Sequence, residues 1–215
     1  MDYKVLFVDE EIAQQDLFIR HFKSIFPDIK PLCEFPLGSL DAMLDKIWSL
    51  CPDAIITDFQ LNEIKEDIQY TVKYDGIELL KALRNRRAYF PCFVMTSFDD
   101  EAVNVSDDVN LVYGKSQLWT THEHEKVSFA ARVIQQIDKY RARIKSAERE
   151  LASLLTKRNT GDVNVYEEDR IIELDTFLER ALGDQDAVPK ELKKFTNLDR
   201  LNKLIGKVDE LLSRI

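Results

Sequence analysis

Four sets of polar side chains each follow a short apolar run in the first half of the chain. In chain order they are Asp9, Glu10 and Glu11, then Asp58, then Thr96 and Ser97, and last Lys115. Carboxylates that meet at one point repel each other unless a cation lies between them, and oxygen ligands of this kind suit Mg²⁺. A hydroxyl and an ammonium group at the same point would complete a site for a phosphoryl group, with a carboxylate as its acceptor. The residue types therefore predict phosphoryl chemistry if the fold brings the four sets together.

The elements that could position these side chains are predicted from the alternation of apolar runs and amphipathic stretches over the first 118 residues. Strands are predicted at 4–8, 29–35 and 54–57, with a fourth ending at 93–95 and a fifth at 110–113, and helices at 12–26, 40–50 and 76–87. Strands and helices that alternate at this spacing form a parallel sheet with right-handed crossovers and helices on both faces. In such a doubly wound α/β fold, ligands bind beyond the carboxyl ends of the strands, which is where the four polar sets lie.

The chain after Trp119 carries no strand signal and is predicted to be all helical. A helix at about 122–158 has apolar residues at alternating steps of three and four, which is a heptad seam. The seam residues are Ala130, Val133, Ile137, Tyr140, Ile144, Ala147, Leu151 and Leu154. A second helix is predicted at 167–182, closed by Gly183, and a final helix from about Asn197. We expect the first part of the seam to pack on the sheet; for the rest, an α-helical bundle with the later helices and a dimeric coiled coil are both left open.

The bulk composition excludes several classes of protein. Of the 215 residues, 45% are hydrophobic and 32% charged, which is typical of a globular chain. No apolar run approaches the ~18 residues that cross a bilayer, so no membrane partner is expected. The net charge is −9, and residues 157–215 hold thirteen acids against eleven bases, which argues against nucleic acid as a partner. Three widely spaced cysteines without a CxxC pair predict reduced thiols in a cytoplasmic protein.

The order of motifs at the strand ends resembles the receiver domain of two-component response regulators, a bacterial-type signalling family. The motifs are VDEE after the first predicted strand, TD after the third, DGIELLKALR at the third helix, MTS after the fourth strand and a lysine after the fifth. The resemblance covers residues 1–138 if the family's fifth helix is included, and that helix is predicted to continue into a helical region at 139–215. It implies a flavodoxin-like fold with a five-stranded parallel sheet in the order 2-1-3-4-5.

The resemblance also implies a phosphoacceptor and a metal site. Asp58 would accept a phosphoryl group from the phosphohistidine of a sensor histidine kinase. Asp9 and Glu10 resemble the family's acidic pair, which would bind Mg²⁺ together with Asp58 and the backbone carbonyl of Gln60.

Two further residues match the family's motifs, and with them the resemblance implies a function. Thr96 matches the hydroxyl that follows the phosphoryl group, and Lys115 matches the lysine that contacts a phosphoryl oxygen. The chain would then be a switch rather than an enzyme, catalysing only its own phosphorylation and dephosphorylation. Its output is expected to be contact between the helical half and a downstream protein partner, with a homodimer left open. The alternatives are a DNA-binding transcriptional regulator and an adaptor whose receiver is not phosphorylated.

The sequence departs from the family's pattern in the loops around the site. The loop from the phosphoacceptor to Gly76 spans eighteen positions, more than the family usually has. Asn62 stands where the family has a proline, and Ser116 where the family has a proline joined by a cis bond. The family's switch aromatic lies three residues before the lysine, where this chain has Val112. Tyr113 comes one position later, and the alternation of a strand predicts that it points to the opposite face.

Overall fold

One parallel sheet of five strands organises the first part of the chain. Residues 3–25, 28–61, 72–97, 109–116 and 128–182 are described by the structure, a computed structural model. The strands are β1 (Tyr3–Val8), β2 (Ile29–Glu34), β3 (Ala54–Asp58), β4 (Cys92–Thr96) and β5 (Val112–Gly114). They are arranged in the order β2-β1-β3-β4-β5, and every neighbouring pair is parallel. The predicted flavodoxin-like fold is therefore confirmed.

Helices connect the strands and then continue the chain. They are α1 (Ile12–Ile25), α2 (Leu40–Leu50), α3 (Gly76–Arg86), α4 (Phe129–Thr160) and α5 (Val165–Leu182). Ser39 begins α2 by accepting a hydrogen bond from the Ala42 N–H, and Asp75 and Glu78 form a capping box at α3. Such caps satisfy N–H groups that have no partner within the helix, which is why these helices begin where the sequence predicts. In the part of the chain that the structure describes, no helix is long and apolar enough to cross a membrane.

Some predicted boundaries were wrong by a few residues. β3 extends to Asp58, so the phosphoacceptor candidate is the last residue of the strand rather than the residue after it. β5 begins at Val112 and not at residue 110, because Val109–Leu111 forms a 3₁₀ turn. Residues 117–127, which include the predicted start of the long helix, lie outside the described part of the chain, as do residues 62–71 with Asn62, Gly183 and the final predicted helix.

The core on one face of the sheet joins β1, β3 and β4 to α1 and to the beginning of α4. Val5 and Phe7 of β1 pack there with Phe18 and Phe22 of α1. Phe129, Ala130, Val133 and Ile137 of α4 belong to the same buried cluster. The first part of the heptad seam therefore packs on the sheet, as predicted. Leu6 and Val8 alternate with these strand residues and are also fully buried, which shows that both faces of the sheet are covered.

Polar contacts fasten α4 to the amino end of the sheet. Arg141 Nη2 lies 2.8 Å from Asp53 Oδ1, and its guanidinium lies 5.0 Å from the ring centroid of Tyr3. The Tyr3 hydroxyl donates to Asp138 Oδ1 at 3.1 Å. The chain divides into two compact units, Met1–Arg141 and Ala142–Ile215, so these contacts lie at the end of the first unit. The predicted domain boundary after residue 138 stays a prediction.

Within the second unit, the later part of α4 packs against α5. Ala147, Leu174 and Leu178 are buried together, and Ile144, Leu151, Leu154 and Phe177 pack against them. Arg170 binds both oxygens of Glu150 at 2.7 and 2.9 Å, and Lys157 binds Glu167. These pairs cross the two helices in opposite order, so the helices form an antiparallel hairpin. The hairpin turns at Gly161, whose positive φ of 83° ends α4.

Candidate functional site

Three carboxylates meet at the carboxyl edge of the sheet. Asp9 and Glu10 follow β1, and Asp58 ends the neighbouring strand β3. Val8 is level with Thr57 in the register of the two strands, so the residues that follow them lie side by side. One oxygen from each carboxylate lies within 4.8 Å of the others, and Asp9, Glu10 and Asp58 are only 0%, 2% and 4% exposed. The structure brings together the three acidic residues that the sequence predicts as metal ligands.

Lys115 reaches the cluster from the end of β5, which pairs with the edge of β4 opposite to β3. It directly follows β5, and its ammonium nitrogen lies 2.9 Å from Asp58 Oδ1 and 3.6 Å from Asp9 Oδ2. The lysine therefore compensates part of the negative charge, and it forms its closer contact with the predicted phosphoacceptor. Three buried carboxylates and one ammonium still leave an excess of negative charge at this edge.

Thr96 and Gln60 complete the set of predicted site residues. Thr96 is the last residue of β4, is 1% exposed, and is level with Gly114, the residue before Lys115. The preceding residue, Met95, is level with Asp58 of β3, the strand that pairs with the opposite edge of β4. The strand register therefore places Thr96 at the edge that carries the acidic cluster. Gln60 is half-buried two residues after Asp58, and the role of its carbonyl as a metal ligand stays a prediction.

Gly76 is a residue of this region whose role was not predicted. Its N–H donates to the Phe59 carbonyl at 2.9 Å, and a Cβ at this position would lie 2.1 Å from the backbone oxygen of Asp58. The first residue of α3 thus lies directly against the backbone of the phosphoacceptor candidate, and only glycine fits there. In the sequence, the Asp75–Gly76 pair indicates the start of a helix but not the close contact of Gly76 with Asp58.

Burial dominates the electrostatics of the acidic cluster. It is the largest cause that raises the pKa of Asp9 to about 6 and that of Glu10 to about 8, and neighbouring carboxylates raise both further. Burial also raises the pKa of Asp58, although Lys115 opposes this shift. For Lys115, burial alone would lower the pKa, but Asp58 and Asp9 together outweigh it and the pKa of the ammonium is raised. Without a metal ion, the cluster favours the protonated forms of its acids, and a bound divalent cation would lower their pKa values.

The residues present fit a Mg²⁺ ion. The ligand set is made of carboxylate oxygens, as this ion prefers. Asp9 Oδ2 is buried and, among the described residues, accepts no hydrogen bond; the Lys115 ammonium lies 3.6 Å away, beyond hydrogen-bond distance, so the oxygen is available to a cation. Asp9, Glu10 and Asp58 would hold the ion, which when bound would neutralise charge on phosphoryl oxygens.

The affinity for Mg²⁺ is expected to rise with pH. Glu10, with its pKa of about 8, carries a proton at neutral pH that the ion must displace, and Asp9 carries another below about 6. Because one displaced proton changes an apparent affinity about tenfold per pH unit, the affinity should increase by about that factor per unit between the two values and level off above them. Mg²⁺ titrations at a series of pH values would measure this.

The same pKa shifts bear on the stability of the metal-free protein. Because both pKa values are raised above those of the unfolded chain, each acid contributes stability that is present below its ordinary pKa and is lost as the pH rises through the folded value. Mg²⁺ should therefore raise the melting temperature most above pH 8, the upper of the two pKa values. The double variant Asp9→Asn, Glu10→Gln is the control and should lose both effects. A wild-type affinity that is constant between the two pKa values would contradict this account.

Tyr113 points to the face predicted for it. Its ring is partly buried and packs edge-on against Phe93 and Phe129, with centroids 5.9 and 5.0 Å apart, at the border of the core shared with α1 and α4. The aromatic residue nearest to Lys115 in β5 is therefore coupled to the first residue of α4. The family's switch position is occupied by Val112, which is half-buried.

The long loop after Asp58 is anchored at both of its described ends. Leu61 is fully buried at the beginning, and Val72 and Tyr74 are 3% and 5% exposed at the end. The Tyr74 hydroxyl donates to the Leu37 carbonyl at 2.7 Å, which ties the end of the loop to the segment after β2.

Several solved structures are similar to this chain at low sequence identity. No family model and no curated protein matches the sequence. The chain is similar to the isolated receiver domain of RcsB from Salmonella enterica serovar Typhimurium, with 18% identity, 55% of this chain and 83% of that chain covered, and a TM-score of 0.43. It is also similar to the receiver domain of the DNA-binding response regulator MerR from Colwellia psychrerythraea 34H, with 16% identity, 64% and 99% coverage, and a TM-score of 0.42. A third is the RcsB–DNA complex, with 14% identity, 86% and 94% coverage, and a TM-score of 0.39. Independently of these similarities, the chain's own sheet order, β2-β1-β3-β4-β5, is the order that the resemblance to receiver domains implies.

Proposed function

We propose that the chain is a response regulator that accepts a phosphoryl group on Asp58 from a sensor histidine kinase and signals through protein contacts of its helical half. The observation that carries the proposal is the buried Asp58 carboxylate, 2.9 Å from the Lys115 ammonium and grouped with Asp9 and Glu10. Phosphoryl transfer to a carboxylate depends mainly on positioning and on positive charge near the transferred group, and Lys115 supplies such charge here.

The residues of the site suit such a transfer. An Asp58 oxygen would attack the phosphorus while the P–N bond of the donor phosphohistidine breaks and its electron pair returns to the imidazole. Lys115 would then face a phosphoryl oxygen instead of a bare carboxylate oxygen, so its charge stays compensated through the transfer. Thr96 is buried at the same edge, where its hydroxyl would donate to the phosphoryl group.

A route from the site to the helical half is supported by the aromatic contacts of β5. Tyr113 lies two residues before Lys115 and packs against Phe129, the first residue of α4. A shift of β5 that accompanies phosphorylation would reach the beginning of α4 through this contact. Because α4 continues to Thr160, the same helix also carries the apolar seam of the helical hairpin. A switch requires an element that can pack in two alternative ways, and α4, which both regions share, is the candidate.

The described part of the helical half favours a protein partner over DNA. Residues 142–182 contain seven bases and nine acids. Several of the bases are already paired, as Arg170 is with Glu150 and Arg158 with Glu168. RcsB has been solved in complex with DNA, so DNA remains the alternative to test.

The output can be tested with two neighbouring leucines of α4. Leu154 packs in the hairpin core, whereas Leu155 is 40% exposed. Leu154→Glu should destabilise the hairpin by about 2 kcal/mol, because it places a charge where apolar surface was buried. Sedimentation velocity of the full chain, with and without beryllofluoride and Mg²⁺, would measure mass and shape.

We expect beryllofluoride to change the sedimentation or partner binding of the wild type and of the matched control Leu155→Glu, but not that of Leu154→Glu. If the phosphoryl mimic changes neither property in the wild type, the helical half is not the output. If it induces salt-sensitive binding to duplex DNA instead, the DNA-binding alternative replaces the proposal.

A further inference from the structure

The loop that carries Asp9 and Glu10 must hold two buried carboxylates beside a third. It consists of three residues between β1 and α1, which begins at Ile12. Inside the loop, the Glu11 N–H donates to Asp9 Oδ1 at 2.8 Å, which fixes the side chain of Asp9. The backbone of Asp9 needs a separate restraint, because repulsion among the acids would otherwise move the loop outwards.

Gln15 supplies that restraint from the first turn of α1. Its side-chain Nε2 donates to the backbone oxygen of Asp9 at 2.8 Å. A peptide group is planar, so holding the Asp9 oxygen also sets the orientation of the Glu10 N–H and the position of the Glu10 Cα. One hydrogen bond therefore acts on both acidic residues of the loop.

The position of Gln15 is itself well defined. Its backbone N–H donates to the Glu11 carbonyl at 3.1 Å, within the first turn of α1. Its own carbonyl lies 3.7 Å from the Cys33 thiol of β2, and Cys33 is level with Phe7 of β1. The amide thus reaches Asp9 from a backbone that is fixed to the same sheet.

We propose that Gln15 is a positioning residue of the cation site, acting through the Asp9 carbonyl; this inference rests on the proposed function, which requires that site. Residues that orient metal ligands without touching the metal change affinity by roughly 10–100-fold when they are replaced. Loss of the Gln15 amide should therefore weaken divalent-cation binding about tenfold or more, with the three carboxylates left intact.

Gln14 offers a matched control. It has the same side chain on the same turn of α1, and its N–H makes the same bond to the Glu11 carbonyl, at 3.1 Å. Its side-chain oxygen is buried and, within the described residues, makes no hydrogen bond, so its loss removes no hydrogen bond from that oxygen. Gln14→Leu and Gln15→Leu then differ in one interaction.

The probe is Mn²⁺, whose free ion is counted by electron paramagnetic resonance, with Mg²⁺ as competitor and the full chain as sample. Gln15→Leu is expected to bind Mn²⁺ about tenfold more weakly than the wild type, and Gln15→Met, which keeps the length of the side chain and removes the donor without adding a charge, about as weakly as Gln15→Leu. Gln14→Leu should remain within about twofold, since it lies outside this contact. In NMR spectra, the Asp9 carbonyl and the Glu10 amide should shift in both Gln15 variants only, which a general loss of stability would not produce.

The outcomes separate the two ideas. Wild-type binding that is lost in Asp9→Asn, together with unchanged affinity in both Gln15 variants, would overturn the role of Gln15 and leave the proposed function standing. A wild type that binds no Mn²⁺, or whose binding does not depend on Asp9 or Glu10, would overturn the proposed cation site and the role of Gln15 with it.

Discussion

Asp58→Asn is expected to abolish Mg²⁺-dependent labelling of the protein by acetyl phosphate. The amide is isosteric with the carboxylate but is a far weaker nucleophile, and it removes the negative charge that Lys115 contacts at 2.9 Å. Radiolabelled acetyl phosphate would measure incorporation, and the loss should be at least about 100-fold, since the variant keeps only the surrounding charges.

A surface aspartate provides the control for this substitution. Asp16 lies on α1 with its side chain 58% exposed, and Asp16→Asn should label like the wild type. The folded state of Asp58→Asn should be preserved, because one buried carboxyl fewer reduces the repulsion at the edge of the sheet. Labelling of Asp58→Asn at the wild-type level would show that the phosphoryl group goes elsewhere.

Gly76→Ala is expected to damage both stability and the site. A Cβ at this position would lie 2.1 Å from the Asp58 oxygen and 3.0 Å from both the Asp58 carbonyl carbon and the Thr57 Cγ2. Either α3 or the end of β3 must move, at a cost of about 3 kcal/mol, the upper part of the usual range for overpacking. Urea denaturation would measure the loss, and labelling by acetyl phosphate should fall with it because Asp58 is displaced.

Gly161→Ala is a useful contrast to Gly76→Ala. Gly161 has a positive φ of 83°, and a Cβ there would meet no atom within 4 Å. Its substitution costs only the backbone strain of an L-residue, about 1–2 kcal/mol, and should leave labelling unchanged. If Gly76→Ala is as stable and as readily labelled as the wild type, the close approach of α3 to Asp58 is not a real constraint.

Much of the fold and the main site residues could be predicted because they depend on local patterns. The apolar runs and their polar ends fixed the strands, and a parallel sheet brings strand ends to one edge, which placed Asp9, Asp58 and Lys115 together. The alternation of β5 likewise predicted the face that Tyr113 occupies. The heptad steps predicted α4. In the structure, the first part of its seam, at Val133, packs on the sheet, and a later part, at Leu151, packs against α5.

The remaining features depend on contacts that no periodic pattern in the sequence indicates. The sequence indicates only a helix start at Gly76, and the contact of this residue with the Asp58 backbone depends on how closely the start of α3 approaches the end of β3. Gln15 reads as one polar residue of an amphipathic helix, and its bond to the Asp9 carbonyl depends on the rotamer of one side chain. The late start of β5 results from a 3₁₀ turn at Val109–Leu111, whose apolar residues look like strand in the sequence.

The most direct test of the account locates the phosphoryl group itself. The unmodified full chain would be treated with acetyl phosphate and Mg²⁺ and then with borohydride, which reduces an aspartyl phosphate to homoserine, and the tryptic peptides would be sequenced by tandem mass spectrometry. Trypsin should release residues 47–65, a peptide that holds both Asp58 and Asp53. We predict homoserine at position 58 and unmodified aspartate at position 53. Homoserine at another position, or its absence from a protein shown to be folded and to bind Mg²⁺, would contradict the claim that Asp58 is the phosphoacceptor.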